Sequence, residues 1–381
     1  VATAVRKNAL LDLEALERYV QACVELKKKK VPDRNGDQVS VFDQFVGIHL
    51  GVTLTRRKGT ERLIDGAHGN AGFLPWHREY LIRFERALQD VAIEKGIINS
   101  RQQLGIPYWD WSRPDDLFKS DRIGPDGRPT TGEMSRGPFT PSKWPVLPEL
   151  DGPSLTRFLG QGGGFLPSVD QVGGVMGRNR FEEFRPELEV LHGAVHIWIN
   201  GSMARMTSPN DPIFFMHHSN VDRIWAQWQN TGHVGEAFYA QDRHSNTGAE
   251  VAYGHKLNDR MWPWDGGQAD FEVSDTVATR IRRLVPVVEA GDIRCPSDVL
   301  EYTEENLGYR YDDVDPSECE FMASHRVVPG DRLIQLAREF YGSGDRDKWM
   351  LIYNANKDVI GDNPALIRPG QILKIPKLPT A

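Results

Sequence analysis

Apolar side chains recur at helical spacing in five stretches of the first 230 residues. In residues 8–30, Leu10, Leu13, Leu16, Tyr19, Val20 and Cys23 mark the inner face of a surface helix, and its lysine-rich end suits the negative pole of the helix dipole. A second helical pattern covers residues 38–55. A third begins at Pro75, a residue favoured in a first turn, and runs to Lys95 with Trp76, Tyr80, Leu81, Phe84, Leu88 and Val91 as its stripe. Two more helices are expected over 187–199 and 211–229, the latter with Asp211 as N-cap and Pro212 in its first turn.

Between the third and fourth helices the pattern breaks down. GIPYWDW (105–111) reads as an aromatic turn, and residues 112–180 are rich in Gly, Pro, Ser and Asp. GQGGG (160–164) and GGVMG (173–177) complete no phosphate-binding pattern and are read as flexible loop. An alternating stretch near 279–289 predicts a strand. The last 55 residues differ again: strand and turn in HRVVPGDRL (325–333), a helix stopped by Gly342, a second helix in DKWMLIYNANK, and turn and strand in RPGQILKIP (368–376). That β-α-α-β order predicts a small module joined through the acidic stretch 312–320, giving domains 1–320 and 321–381.

Composition narrows the class. The 381 residues are 39% hydrophobic and 26% charged with net charge −7, as in a soluble globular protein. No run of 18 apolar residues occurs, so no membrane span is expected, and the acidic balance opposes nucleic-acid binding. Residues Val1–Arg6 lack the layout of a signal peptide. Three cysteines exclude a disulfide scaffold and a Cys-rich metal site. Against them stand 11 histidines, seven of which fall in two blocks, 49–77 and 192–218.

His192 and His196 are four apart, so one helix face presents both imidazoles. His217 and His218 open the next helix, where adjacent side chains point about 100° apart, so one of the two can share that site. His49, His68 and His77 complete a set of three plus three on four helix-like segments, the way bundle cores build dinuclear sites. No Glu-x-x-His pair falls inside either block, which argues against di-iron; an all-imidazole set suits copper, zinc or nickel. Two uncharged triads favour a redox metal, and zinc has no redox chemistry. Copper leads.

The strings HGNAGFLPWHREYLIRFERALQ (68–89), LHGAVHIWI (191–199) and SPNDPIFFMHHSNVDRIWAQWQ (208–229) closely resemble the two copper-binding blocks of the type 3 copper family: tyrosinases, catechol oxidases and molluscan hemocyanins. PYWDW (107–111) and LGYRYDD (307–313) also look like that family, so the resemblance spans residues 40–315. It implies His49, His68 and His77 on the first copper, and His192, His196 and His218 on the second, with His217 a structural neighbour. It further implies a mainly α fold, a four-helix-bundle core with long loops around two copper ions. With O2 as co-substrate, such a site oxidises phenols or o-diphenols to o-quinones, as a tyrosinase or other polyphenol oxidase does.

Residues around the ligands bear on which substrate is used. FEEF (181–184) is similar to the family element that supplies a Glu to orient a water for phenol deprotonation, which nominates Glu182. Many tyrosinases carry Asn directly after the first ligand of the second copper; Gly193 stands there and shifts the expectation toward catechol oxidation. Ala67 precedes His68 and no Cys lies near it, so the Cys–His thioether of fungal and plant members is absent, as in bacterial ones. Met203 and Met206 fall where the family shapes the approach of substrate, a task suited to flexible thioethers. Asp222, one turn after His218, is expected to anchor the helix or Arg223.

Residues 325–376 resemble a LysM domain almost end to end, departing at Tyr353. The resemblance implies binding of N-acetylglucosamine chains in peptidoglycan or chitin, and suggests a secreted or cell-wall-associated protein. The competing role for a C-terminal piece is a lid over the copper site. A hemocyanin-like O2 carrier would use the same six histidines, but one copy joined to a glycan module points to an enzyme; the other alternative is a peptidoglycan- or chitin-binding LysM protein with incidental oxidase activity. The sequence carries no information on a copper chaperone.

Overall fold

The computed structural model describes residues 3–57, 60, 62–111, 117–240, 255–267, 271–273 and 281–378. Strand β1 (Ala4–Arg6) leads into helix α1 (Leu13–Lys28), which Asp12 opens by accepting the Ala15 N–H at 2.9 Å. Ser40 caps α2 (Val41–Thr53) through the Phe42 N–H. Helix α3 (Phe73–Glu94) begins two residues before Pro75, which sits in the first turn where its missing N–H costs nothing.

Two of the expected loops are more ordered than their composition implies. Ser168 and Gln171 form a capping box that starts α4 (Val169–Met176), so Gly173 and Gly174 are helical. The GQGGG segment lies flat on a helix backbone: a Cβ at Gly164 would come within 2.3 Å of the Ala194 carbonyl oxygen. Helix α5 (Phe181–Ile199) starts six residues earlier than expected, because Pro186 is accommodated in its second turn rather than ending a loop. Helix α6 (Ile213–Asn230) follows. Asp211 sits just ahead of it, accepting the Ile213 N–H while its carboxylate holds the buried Arg157, and Pro212 occupies the cap position. Residues 281–284 are helical instead of extended, since Ile281, Leu284 and Val285 bury one face at helical spacing; 279–280 lie outside the described residues.

The helices α1, α2, α3, α5 and α6 pack around one core, with α3 touching α1, α5 and α6. Phe42, Phe84 and Phe215 interlock at its centre, the last two stacked at 3.4 Å. Burying each such ring contributes roughly 2–3 kcal/mol. Strand β2 (Tyr309–Tyr311) pairs in parallel with β1, tying the chain's start to its 300s. Among the described residues no helix is long and apolar enough to cross a membrane. All three cysteines are free.

Residues 321–376 follow the expected β-α-α-β order, with one more short helix (Lys357–Ile360) before the last strand. Strand β3 (Phe321–Arg326) pairs antiparallel with β4 (Ile372–Pro376), and between them lie α7 (Leu333–Tyr341), ended by Gly342 at φ 72°, and α8 (Arg346–Ala355). The unit has its own core of Val327, Leu333, Leu336, Ile352, Leu373 and Ile375. It rests on the segment just after α6: Lys374 Nζ donates to the Thr231 carbonyl and Arg326 to that of Ala237, both at 2.9 Å.

Candidate metal centre

The six predicted histidines come together in two abutting groups. His49 on α2, His77 on α3 and His68 on the bend between them have ring centroids 5.0–5.8 Å apart. His192 and His196 on α5 and His218 on α6 form the second group, with the Nε2 of His218 3.2 Å from that of His192 and 3.4 Å from that of His196. The groups meet where the His77 and His218 rings stack at 4.3 Å. His68 is carried by a bend rather than a helix, because glycines flank the pair Ala67-His68 and Gly69 takes a left-handed φ of 69°.

Hydrogen bonds settle which nitrogen faces inward. The Nδ1 atoms of His49, His77 and His196 donate to the carbonyls of Met206, Phe73 and Met203 at 2.7–2.8 Å, and that of His192 to Glu189 at 3.3 Å. A carbonyl only accepts, so each Nδ1 carries the proton and each Nε2 offers its lone pair to the centre. The Nε2 atoms of His49 and His77 are buried without a partner among the described residues. Burial and neighbouring imidazoles hold the His49 ring down to about 3 and depress those of His77, His192 and His218; burial lowers His196 to about 4. His68 is the exception: burial opposes its charge, but the Asp65 carboxylate against its Nδ1 raises it. Neutral imidazoles with orphaned, converging nitrogens are the donor set a metal ion completes.

The remaining predicted residues divide. His217 lies nearer than a mere neighbour: its ring stacks 5.0 Å from that of His192 and could join that group. Met203 is fully buried and Met206 half exposed, and both serve the centre through their carbonyls. Gly193 faces open space: among the described residues nothing beyond its chain neighbours and its own helix backbone lies within 4 Å of where a Cβ would stand. Glu182 is not brought to the histidines. It sits in the first turn of α5 beside Arg180, about 15 Å along the axis from His192.

Another carboxylate takes the place beside the histidines. Glu189 Oε1 accepts the Gly69 N–H at 2.6 Å, while Oε2 meets Arg185. It forms a Glu-x-x-His pair with His192, one turn apart on the same helix and just ahead of the histidine block that starts at His192. Asp222 does not engage Arg223, which pairs with Asp313. Its buried carboxylate instead accepts from Arg78 at 2.6 Å, Arg6 at 3.1 Å, Tyr309 at 2.5 Å and Tyr311 at 2.7 Å. That network ties α6 to α3 immediately beside His77 and to both short strands. His233, outside the centre, stacks on Trp228 at 4.0 Å, and His244 lies outside the described residues.

Fold and site together define a helical protein with an all-imidazole dinuclear metal centre. The common central domain of tyrosinase matches residues 39–231. A tyrosinase of Streptomyces glaucescens is 36% identical over 287 residues, covering 68% of this chain and 92% of that protein. The chain belongs to the tyrosinase family. Its fold is shared with recombinant mushroom tyrosinase (TM-score 0.52, 18% identity, 82% of this chain and 62% of that one). It is shared as well with deoxygenated hemocyanin from Rapana thomasiana (TM-score 0.51, 19% identity, 83% of this chain and 71% of that one). The cofactor is accordingly a pair of copper ions, and the activity is copper-dependent oxidation of phenols. The carrier alternative is not favoured, since the likeness to hemocyanin concerns the fold alone.

Proposed function

We propose that this enzyme acts chiefly as a catechol oxidase, converting o-diphenols to o-quinones faster than it hydroxylates monophenols. The observation that carries this reading is Gly193. It leaves the position after His192 with no side chain and, among the described residues, open space in front, so this position supplies no amide to share a water with a carboxylate. A monophenol needs that proton-accepting water more than an o-diphenol does, because its single hydroxyl must ionise before the ring can be attacked.

In this reading His49, His68 and His77 hold one copper, and His192, His196 and His218 the other. The helices α2, α3, α5 and α6 form the surrounding four-helix bundle. The bound coppers supply the redox chemistry, with O2 as co-substrate. The chain's own contribution is to fix five of the six Nε2 lone pairs through carbonyl and carboxylate partners, all but that of His218, and to line the centre with Phe73 and Phe214, whose rings lie 4.9 Å from His192 and 4.1 Å from His218. Glu189 is the carboxylate we assign to accept the hydroxyl proton, in place of Glu182. Its contact with the His68 loop supports that assignment. The alternating assays of tyrosine and catechol on copper-loaded enzyme test the reading: kcat/KM is expected to favour catechol, and a monophenol value equal or higher overturns it.

We also propose that residues 1–320 are the copper domain and 321–381 a LysM-type module that binds peptidoglycan or chitin. The separate core within residues 327–375 supports a module of its own. Its seat argues against a lid, because Thr231, which Lys374 contacts, caps the C-terminal end of α6 about 20 Å along the axis from His218. Retention of the full chain on insoluble peptidoglycan or chitin is the expected result, and release of all the protein in the wash sinks the proposal.

A further inference from the structure

Five of the six histidines are held by helices, and His68 is held by a bend. Two carboxylates keep that bend in place. Asp65 acts from within: its Oδ1 accepts the Ala67 and His68 N–H groups at 2.8 and 2.9 Å, and its Oδ2 lies 3.1 Å from the His68 ring. Glu189 acts from outside, reaching across from α5 to the Gly69 N–H at 2.6 Å. Among the described residues one other side chain aims that carboxylate. Arg185, one turn earlier on α5 and 4% exposed, takes the second carboxylate oxygen.

The pairing matters because Glu189 is 16% exposed and has rotamers that point to water. A buried guanidinium holds a carboxylate both ionised and oriented, and a charged acceptor binds a backbone N–H about twice as strongly as a neutral one. We propose that Arg185 is a positioning residue which, through Glu189, clamps the His68 bend against α5 and thereby sets how firmly the first copper is held. The inference rests on the reading that His49, His68 and His77 bind that copper. It has an unobvious sign. Arg185 is on the helix that carries His192 and His196, yet its loss is felt by the other triad.

Two readouts on the full chain separate this from a general packing role. Amide hydrogen exchange is followed in the metal-free protein, and copper stoichiometry by titration, for wild type, Arg185→Gln, Arg185→Lys and Glu189→Ala. In Arg185→Gln and Glu189→Ala, exchange of the segment 65–72 is expected to rise at least about tenfold, as for loss of a charged hydrogen bond. Exchange along 190–199 stays as in wild type. Copper falls from two to one per chain at concentrations that saturate wild type, and adding His218→Ala removes the one left. Arg185→Lys restores most of both signals, since a lysine four residues before a glutamate keeps the ion pair. Unchanged exchange at 65–72 overturns the proposal, as does exchange rising equally along α5 or copper lost equally from both sites. Wild type binding fewer than two coppers would refute the copper reading instead, while the metal-free exchange data still decide the role of Arg185.

Discussion

Replacing Asp222 by Asn tests how the two helices bearing His77 and His218 are kept in register. The Asp222 carboxylate is 4% exposed and lies between two fully buried guanidinium groups, those of Arg6 and Arg78. Each of these cations also sits over an aromatic ring, Arg6 above Tyr309 at 3.4 Å and Arg78 above Trp225 at 3.6 Å. One nitrogen of each, Nη2, already lacks a hydrogen-bond partner among the described residues. Asn keeps the shape and removes the charge. Arg6 retains Glu85, but Arg78 is left with the Val299 carbonyl and no anion among these contacts. Breaking a buried pair on one side costs about 3–5 kcal/mol. The surviving Glu85 contact places this case near about 3 kcal/mol, a fall in Tm of roughly 5–10 °C.

The assay is urea unfolding of the metal-free protein at neutral pH, with Asp313→Asn as control. Asp313 pairs with Arg223 at the surface, so its loss costs less than about 1 kcal/mol. The effect also has a pH signature. Burial opposes the Asp222 charge, but Arg78 and Arg6 win and hold its folded carboxyl below the usual value. Its stabilisation is therefore full above about pH 4, and shrinks as pH falls through the folded value, so wild type and variant converge in acid. A neutral-pH difference under about 1 kcal/mol, or one that grows in acid, would refute the reasoning.

Three further outcomes follow from the same geometry. Gly193→Asn is expected to fold normally, because a Cβ there meets no described residue outside its own helix, and to raise monophenol turnover relative to catechol; no change in the tyrosine-to-catechol ratio of kcat/KM contradicts the role given to that position. Glu189→Gln keeps an oxygen for the Gly69 N–H but removes the base, so it is expected to lower kcat on monophenols by about 10²-fold or more, with a smaller loss on catechols. Equal losses on both substrates count against a proton-accepting role. His218→Ala is expected to leave one copper per chain and abolish activity, whereas His217→Ala keeps two; the reverse result in metal analysis would reassign the ligand.

Much of the centre was legible because helices impose a period. His192 and His196 announce a shared face by their spacing, and the apolar stripe of Trp76, Tyr80 and Phe84 places His77 on a buried helix. What escaped were features decided by tertiary contact. Pro186 reads locally as a breaker, so α5 was expected to start after it and its first turn was hidden. Glu182 matched a family string, but a ten-residue separation along a rigid helix carries it away from His192, and the turn geometry that favours Glu189 is visible only once the helix is continuous. Gly-rich segments look mobile by composition. Here Gly164 is small so that a loop can lie on the backbone of α5, a constraint no local pattern contains. Asp222 was recognised as an anchor, yet its partners Arg6, Tyr309 and Tyr311 arrive from the two ends of the domain, brought in by the parallel pairing of β1 with β2.

Copper titration of the metal-free chain, followed by catechol oxidation at each step, tests the central claim most directly. Activity is expected to be absent without metal, to appear only as the second equivalent binds, and to saturate at two coppers per chain. Full activity at one copper per chain, or turnover that persists in metal-free protein, would contradict a dinuclear centre built from these two histidine triads.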